Sequence, residues 1–122
     1  MPIDIHAWLG QAQAGLQAAF GLRLRFLGLQ GSYGRGEARE GSDIDLVVIL
    51  DQVTEADWRT YREVLAGLPH PELACGFFSG AAELAGWDRA DLFQFVHDTT
   101  PILGDLNTLV PPIARADAAR VL

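Results

Sequence analysis

The stretch from Gly31 to Leu50 reads GSYGRGEAREGSDIDLVVIL and divides into a polar part and an apolar part. Residues 31–42 are rich in glycine and charge, which predicts a turn. Residues 44–50 are nearly all aliphatic and β-branched, which predicts a strand covered on both faces. Residues 22–30 alternate, with Leu22, Leu24 and Phe26 facing one way, and predict another strand. If the two strands run antiparallel, the end of the first lies beside the start of the second.

Helices are predicted on both sides of these two strands. Apolar residues recur at helical spacing between Asp4, an expected N-cap, and Gly21, an expected left-handed C-terminal residue. A second apolar stripe lies between Thr54 and Gly67, with Thr54 as the expected N-cap and Asp57 at the capping-box position. These helices would cover the apolar faces of the strands.

The rest of the chain predicts one more strand and further helices. The expected elements are a strand at 72–78, short helices at 81–87 and 90–97, a loop at 101–111 and a last helix at 112–122. This order predicts an α/β (α+β) fold with a small mixed sheet of three strands, or slightly more, flanked by helices. We expect a single domain over 1–122, with its core at 4–80 and a helical extension at 81–122.

Composition limits the partners of this chain. It has 122 residues and a formal net charge of -7, and all nine of its basic residues are arginines. Because an acidic chain without a basic run binds polyanions poorly, we expect neither a nucleic-acid polymer nor a membrane as partner. The single cysteine, Cys75, excludes an internal disulfide, and the sequence shows no signal peptide or membrane-spanning run. We therefore expect a cytoplasmic protein.

Asp43 and Asp45 stand at the start of the apolar strand. Side chains two residues apart on a strand share a face, so these carboxylates project together, with Cα atoms ~6.6 Å apart. They repel each other unless a cation lies between them. Carboxylate oxygens suit Mg²⁺, and two such ions ~4 Å apart can activate an attacking oxygen and stabilise a leaving one. Both residues are therefore candidate metal ligands and catalytic residues.

Gly31 and Ser32 supply the other half of the expected site. A glycine lets a phosphate approach the backbone closely, and Ser32 offers a hydroxyl and an N–H group. Together with the two acids, they predict a site for a nucleoside triphosphate. Arg35 and Arg39 lie in the intervening turn and could contact phosphate, although for both of them a surface ion pair with Glu37 or Glu40, or simple exposure to solvent, is the simpler interpretation.

Gly31-Ser32, ten intervening residues and Asp43-Ile44-Asp45 form a pattern that resembles the DNA polymerase β-type nucleotidyltransferase superfamily. The chain is most similar to the minimal nucleotidyltransferase domains of prokaryotes, over roughly residues 4–80. The resemblance implies Mg²⁺-dependent transfer of a nucleoside monophosphate from a triphosphate, with ATP expected, to a hydroxyl. It implies that Gly31 and Ser32 hold the triphosphate and that Asp43 and Asp45 hold the metal. Ser42, directly before the first acid, falls within the matching segment and is a further nucleotide-binding candidate.

The resemblance also implies a partner, because a chain this short has little room for its acceptor. The acceptor hydroxyl would belong to a small molecule or to a protein side chain. A homodimer or a helical partner protein could complete the site, as in toxin–antitoxin pairs where the minimal domain is the antitoxin. An antibiotic-modifying transferase is a further alternative.

One departure from the family pattern concerns its third carboxylate, which active members usually carry on a later strand. The expected third strand has only Glu72, at its start, and Asp98 is a more distant substitute. Glu72 is therefore the third catalytic candidate, although it follows Pro71 and could simply be the solvent-exposed start of a strand. The alternative to an enzyme is a catalytically degenerate module of the same fold that binds a nucleotide or a partner.

Overall fold

The computed structural model describes residues 4–39 and 41–109, and these form a four-stranded sheet with helices on both faces. The helices are α1 (Ile5–Phe20), α2 (Gly31–Arg35), α3 (Glu55–Ala66), α4 (Ala81–Leu84) and α5 (Arg89–Asp98). The strands are β1 (Leu24–Gln30), β2 (Ile44–Leu50), β3 (Ala74–Gly80) and β4 (Thr100–Leu103). Short 3-10 turns lie at Gly21–Arg23, Pro71–Leu73 and Leu106–Thr108. The last helix expected at 112–122 lies outside the described residues.

The sheet is mixed, with the strand order β3-β2-β1-β4. Strands β1 and β2 pair antiparallel, as expected for the hairpin, and β2 pairs with β3 in parallel. Strand β4 pairs antiparallel with the other side of β1. The expectation of a loop at 101–111 was therefore wrong for its first residues, because 100–103 complete the sheet. The α+β class with a small mixed sheet is confirmed.

The two long helices begin where the sequence places their caps. The Oδ1 atom of Asp4 accepts a hydrogen bond from the N–H of Ala7 at the start of α1. Thr54 and Asp57 form a reciprocal capping box at the start of α3. The single face expected for Leu22, Leu24 and Phe26 was wrong. Leu22 is 95% exposed in the 3-10 turn before β1, and an irregularity between Leu24 and Phe26 places these two residues in different apolar clusters.

Each face of the sheet has its own apolar core. On one face, alternate residues of β2 such as Leu46 and Val48 pack with α1 and α3. On the other face, Val47 and Ile49 join Phe95 of α5 in a second cluster. Asp45 is offset by two residues from Val47, so it belongs to the α5 face. No helix within the described residues has both the length and the hydrophobicity needed to span a membrane.

Candidate active site

Asp45 and Gly31 meet where β1 ends and β2 begins. Gln30 lies directly opposite Asp45 in the antiparallel pairing, and Gly31 follows it in a left-handed backbone conformation with φ 67°. A Cβ atom added to Gly31 would collide with the Oδ2 atom of Asp45. Only glycine therefore allows this carboxylate to lie against the chain, and the end of β1 lies beside the start of β2, as an antiparallel hairpin requires.

The other nucleotide-binding candidates of this hairpin lie beside that contact. Ser32 is half-buried in α2, and its hydroxyl makes no hydrogen bond to any residue that the structure describes. Asp43 is exposed and lies immediately before β2. Among the described residues, no arginine or histidine forms an ion pair with Asp43 or Asp45. Within the described ranges, the hairpin thus presents two carboxylates without an ion-pair partner and one hydroxyl without a hydrogen-bond partner.

Cys75 occupies the position on β3 that faces Asp45. The two residues are partners in the parallel pairing, and the Sγ atom donates a hydrogen bond to Oδ1 of Asp45 at 3.0 Å. Although the residue as a whole is exposed, partial burial raises the pKa of its thiol to about 12, and the hydrogen bond to Asp45 adds to this rise. The thiol is therefore protonated at neutral pH, a form that is neither nucleophile nor metal ligand.

Glu72 does not complete a group of three ligands with the two aspartates. It lies in the 3-10 turn Pro71–Leu73, is exposed, and has an Oε1 atom 3.9 Å from Nδ1 of His70. Strand β3 begins only at Ala74, because Pro71 starts the turn, so the expectation that Glu72 opens the strand was wrong. In the described part of the chain, no three His, Cys, Asp or Glu side chains are grouped to hold a metal.

The turn between α2 and β2 is held by its own polar groups. The Nε atom of Arg35 lies 3.3 Å from Oε2 of Glu37, which is the surface pair that the sequence offered as the simpler interpretation. The backbone N–H of Arg39 donates to the hydroxyl of Ser42 at 2.8 Å. The Ser42 hydroxyl thus helps to shape the turn, and Arg39 remains exposed beside it.

Two cavities of about 520 Å³ each open on the α5 side of Gln30. Gln30 and Asp98 line both of them. The first is otherwise bounded by Gly31, Gly34, Arg35, His97 and Thr100. The second is bounded by Trp87, Phe95 and Gln94 and by the carboxylates of Asp88 and Asp91. Asp98, the substitute acid that is distant in sequence, thus lies near the hairpin in space. Its Oδ2 atom accepts a hydrogen bond from Nε2 of Gln94 at 2.8 Å.

Sequence reasoning missed Gln30 and Thr99 as residues of this region. The Nε2 atom of Gln30 donates to Oγ1 of Thr99 at 2.8 Å, which joins the end of β1 to the end of α5. One signal was present in the sequence: Phe26, Gly28 and Gln30 share a face of β1, so a polar side chain ends an apolar face directly before Gly31. The Thr99 contact depends on α5 and β4 and has no local signal.

Solved structures with the same fold include nucleotide-bound proteins. The chain is similar to the spectinomycin adenyltransferase AAD(9) from Enterococcus faecialis, solved with ATP and spectinomycin, with TM-score 0.61 and 16% identity over 94% of this chain and 63% of that chain. It therefore spans less than two thirds of that protein. It is also similar to a toxin–antitoxin structure with AMP-PNP, with TM-score 0.57 and 16% identity over 91% of this chain and 81% of that chain.

A mutant of the toxin–antitoxin MntA-HpeT is a third structure of this fold, with TM-score 0.53 and 17% identity over 88% of this chain and 78% of that chain. At such identities the likeness shows a shared fold. Among curated proteins, none matches this chain significantly in sequence. The family comparison is more specific, because the model of the nucleotidyltransferase domain matches residues 20–96, from the end of α1 through most of α5. The chain therefore belongs to the nucleotidyltransferase domain family.

Proposed function

We propose that this domain binds a nucleoside triphosphate, with ATP as the first candidate, and transfers its nucleoside monophosphate to a hydroxyl. The observation that carries the proposal is the contact between Asp45 and Gly31, next to a second unpaired acid at Asp43. In the transfer, the acceptor oxygen bonds to the α-phosphorus, pyrophosphate leaves with the bonding electrons, and the acceptor proton passes to water.

The donor atoms of the two aspartates are of the kind that binds Mg²⁺. Both offer hard carboxylate oxygens without an ion-pair partner in the described residues, and the carboxylate of Asp45 lies in a space that any side chain at position 31 would fill. Asp43 and Asp45 would hold the ion, or two ions. When bound, Mg²⁺ would supply positive charge against the phosphate oxygens and the two carboxylates.

The remaining residues of the hairpin would position the triphosphate. Ser32 has a hydroxyl that no described residue uses, so it can donate to a phosphate oxygen. Gly31 offers its backbone without a side chain in the way. Arg35 lines the neighbouring cavity and can exchange its exposed pair with Glu37 for a phosphate contact, because such surface pairs contribute little stability. Arg39 and Ser42 stay secondary candidates.

The acceptor and the partner are finer parts of the proposal. The likeness to toxin–antitoxin structures favours a two-protein system in which this domain is the antitoxin-like half and a protein side chain is the acceptor. The adenyltransferase, solved with spectinomycin, keeps a small-molecule acceptor as the alternative. A homodimer could also supply the acceptor side. The free thiol of Cys75 suits a reducing compartment, so we place the protein in the cytoplasm.

Calorimetric titration of Mg-ATP and Mg-GTP tests nucleotide binding. We expect the wild type to bind at least one of them and the double variant Asp43→Asn, Asp45→Asn to lose at least ~100-fold in affinity, because the metal ligands are gone. The matched control is Asp4→Asn with Asp105→Asn, which removes the same charge at two N-caps where asparagine also caps. Equal binding by wild type and the Asp43, Asp45 variant would overturn the proposed metal site.

Pyrophosphate release, measured with a candidate partner protein or hydroxyl compound present, tests transfer. Release that depends on Asp43 and Asp45 supports the enzyme. Nucleotide binding without release with every acceptor tested would overturn the transfer step and leave the binding step standing.

The position of Cys75 favours a second candidate function, a degenerate module that binds nucleotide or partner without turnover. The thiol stands opposite Asp45, where a carboxylate on β3 would complete a group of three acids. Under this alternative, the wild type binds Mg-ATP without releasing pyrophosphate, and Cys75→Asp gains release. Cys75→Ser serves as the control, since it keeps a small polar group but adds no charge.

A further inference from the structure

The hydrogen bonds around Gln30 fix the orientation of its side-chain amide. The hydroxyl of Thr99, a residue that is only 7% exposed, donates its single hydrogen to the carbonyl oxygen of Phe95 at 2.6 Å. That hydroxyl can therefore only accept from Gln30, whose Nε2 lies 2.8 Å away. The amide nitrogen of Gln30 is thus committed to Thr99. Its Oε1 atom has no hydrogen-bond donor among the described residues.

The position of Gln30 places its side chain next to the proposed reaction centre. Gln30 is the cross-strand partner of Asp45, and partners in an antiparallel pair share a face of the sheet. It also directly precedes Gly31 and Ser32 in the chain. Both cavities on the α5 side are lined by Gln30, so ligand atoms in either one can reach its side chain.

The chemistry of an amide oxygen selects the kind of group it can bind. It accepts a hydrogen bond from a donor that keeps its proton, and it is too weak a base to remove one. The attacking hydroxyl of the acceptor has to lose its proton during transfer. The ribose hydroxyls keep theirs, and the ribose is joined directly to the α-phosphate on which Asp43 and Asp45 would act. A ribose hydroxyl therefore fits Gln30 better than the acceptor hydroxyl does.

We propose that Gln30 is a sugar-recognition residue: its Oε1 accepts a hydrogen bond from a ribose hydroxyl of the bound nucleotide. Thr99 is a positioning residue, because its hydroxyl keeps the amide turned with the oxygen toward the ligand. The inference rests on the proposed function, since it requires a nucleotide bound at Asp43 and Asp45. It predicts that the site distinguishes ribonucleotides from deoxyribonucleotides.

The test compares binding of Mg-ATP, Mg-2′-deoxy-ATP and Mg-3′-deoxy-ATP to the full chain by calorimetry. We expect the wild type to bind ATP about fivefold to tenfold more tightly than the analogue that lacks the recognised hydroxyl, which is the effect of one lost hydrogen bond. Comparison of the two analogues identifies that hydroxyl. Equal affinities for all three nucleotides in the wild type would overturn the inference without any variant.

Variants then assign the discrimination to Gln30. Gln30→Leu should bind the three nucleotides equally, and Thr99→Val should reduce the discrimination because the amide is free to turn. Thr99→Ser keeps the hydroxyl and should restore the wild-type ratio, which a merely structural role of Thr99 would not explain. Gln17→Leu, the same change at an exposed position of α1, is the matched control. Unchanged discrimination in Gln30→Leu would also overturn the inference.

Failure of the proposed function has a different signature. If the wild type binds none of the three nucleotides, or if Asp43→Asn with Asp45→Asn binds them as the wild type does, the proposed function and this inference both fall. If binding depends on the two aspartates but the affinities for ATP and its two deoxy analogues are equal, only the proposed role of Gln30 is wrong.

Discussion

Aspartates lie at both ends of strand β2, but their surroundings differ. Asp43 and Asp45 lie at its start, here called the near end, and Asp51 follows its last residue at the far end, where Asp57 of α3 lies close by. At the far end, the guanidinium of Arg23 donates to Asp51 at 3.1 Å and to both carboxylate oxygens of Asp57 at 2.8 and 2.9 Å. These hydrogen bonds hold the pKa of Asp57 well below its usual range. At the near end, Asp43 and Asp45 have no ion-pair partner in the described part of the chain.

This difference separates acids that stabilise the fold from acids that are available to a ligand. Asp57 is buried and also caps α3, so removing it exposes several unsatisfied groups at once. Asp43 is exposed and supports no other group that the structure describes. Among the described residues, no ion pair neutralises the negative charge of this end, which is what the proposed Mg²⁺ site requires.

The sharpest contrast is expected between Asp57→Ala and Asp43→Ala. Asp57→Ala should lower the free energy of unfolding by about 2 to 3 kcal/mol, because it removes the capping box and both hydrogen bonds to Arg23. Asp43→Ala should change it by no more than about 0.5 kcal/mol. Urea unfolding of the three proteins measures both values. Comparable losses in the two variants would show that the two ends do not differ in this way.

A second contrast uses two glycines that both have positive φ, Gly31 at 67° and Gly36 at 73°. Gly36→Ala should cost about 1 kcal/mol of stability from backbone strain alone, since its Cβ meets no atom within 4 Å. Gly31→Ala should cost about 1 to 2 kcal/mol and also displace Asp45, so Mg-ATP affinity should fall in this variant only. Thermal unfolding and calorimetry measure the two effects. Equal Mg-ATP affinity in the two alanine variants would show that Gly31 does not contribute to nucleotide binding.

Asp51 and Asp57 at the far end should also make the free energy of unfolding depend on pH. The folded-state pKa values of Asp51 and Asp57 both lie below the ordinary value of 3.8, so their contribution is fully present above that pH and is lost as the pH falls from there toward the lower folded-state pKa values. For Asp51 the main cause is the hydrogen bond from the N–H of Gln52, and for Asp57 it is Arg23. Urea unfolding between about pH 6 and pH 3 should therefore show a steeper loss in wild type than in Asp57→Ala. Parallel curves would contradict this assignment.

The smallest effect is expected at the exposed pair of Arg59 and Glu55 on α3, which are 3.3 Å apart at i,i+4 spacing. Glu55→Gln should cost less than about 0.5 kcal/mol, because solvent screens such a pair. Repeating the urea unfolding in high salt should abolish even that difference. A loss similar to that of Asp57→Ala would show that exposure is a poor guide to which acids stabilise this fold.

The local parts of the fold could be predicted from the sequence because their causes are local. Asp4 and Thr54 are caps that act within three residues, and the β-branched apolar run at 44–50 is typical of a covered strand. An antiparallel hairpin places the end of one strand beside the start of the next, which the sequence could indicate, whereas the particular contact of Gly31 with Asp45 has no signal in the residue spacing. The short helix at 31–35 was hidden because glycine-rich sequence favours turns.

The parts that escaped prediction depend on chain segments that are distant in sequence. Thr100–Leu103 is short, mostly exposed and contains Pro101, so it has no strand pattern of its own and exists because β1 offers it an edge. The pairing of Cys75 with Asp45 is set by the parallel register of β2 and β3, which no residue spacing encodes. The link from Gln30 to Thr99 needs both the end of α5 and β4 to be in place.

The late position of β4 has a consequence for synthesis on the ribosome. Gly28 pairs with Pro101, so one edge of β1 stays unsatisfied until nearly all of the described chain has been translated. A nascent chain that ends before β4 has the aspartate hairpin but lacks Thr100, which lines the cavity beside Gly31 and whose hydroxyl donates to the carbonyl oxygen of Gly34. Such an intermediate exposes an open strand to other nascent chains, which is a hazard for aggregation. Under the proposed function, Asp43 and Asp45 emerge from the ribosome well before β4, so the nucleotide site would be completed later than its proposed metal ligands.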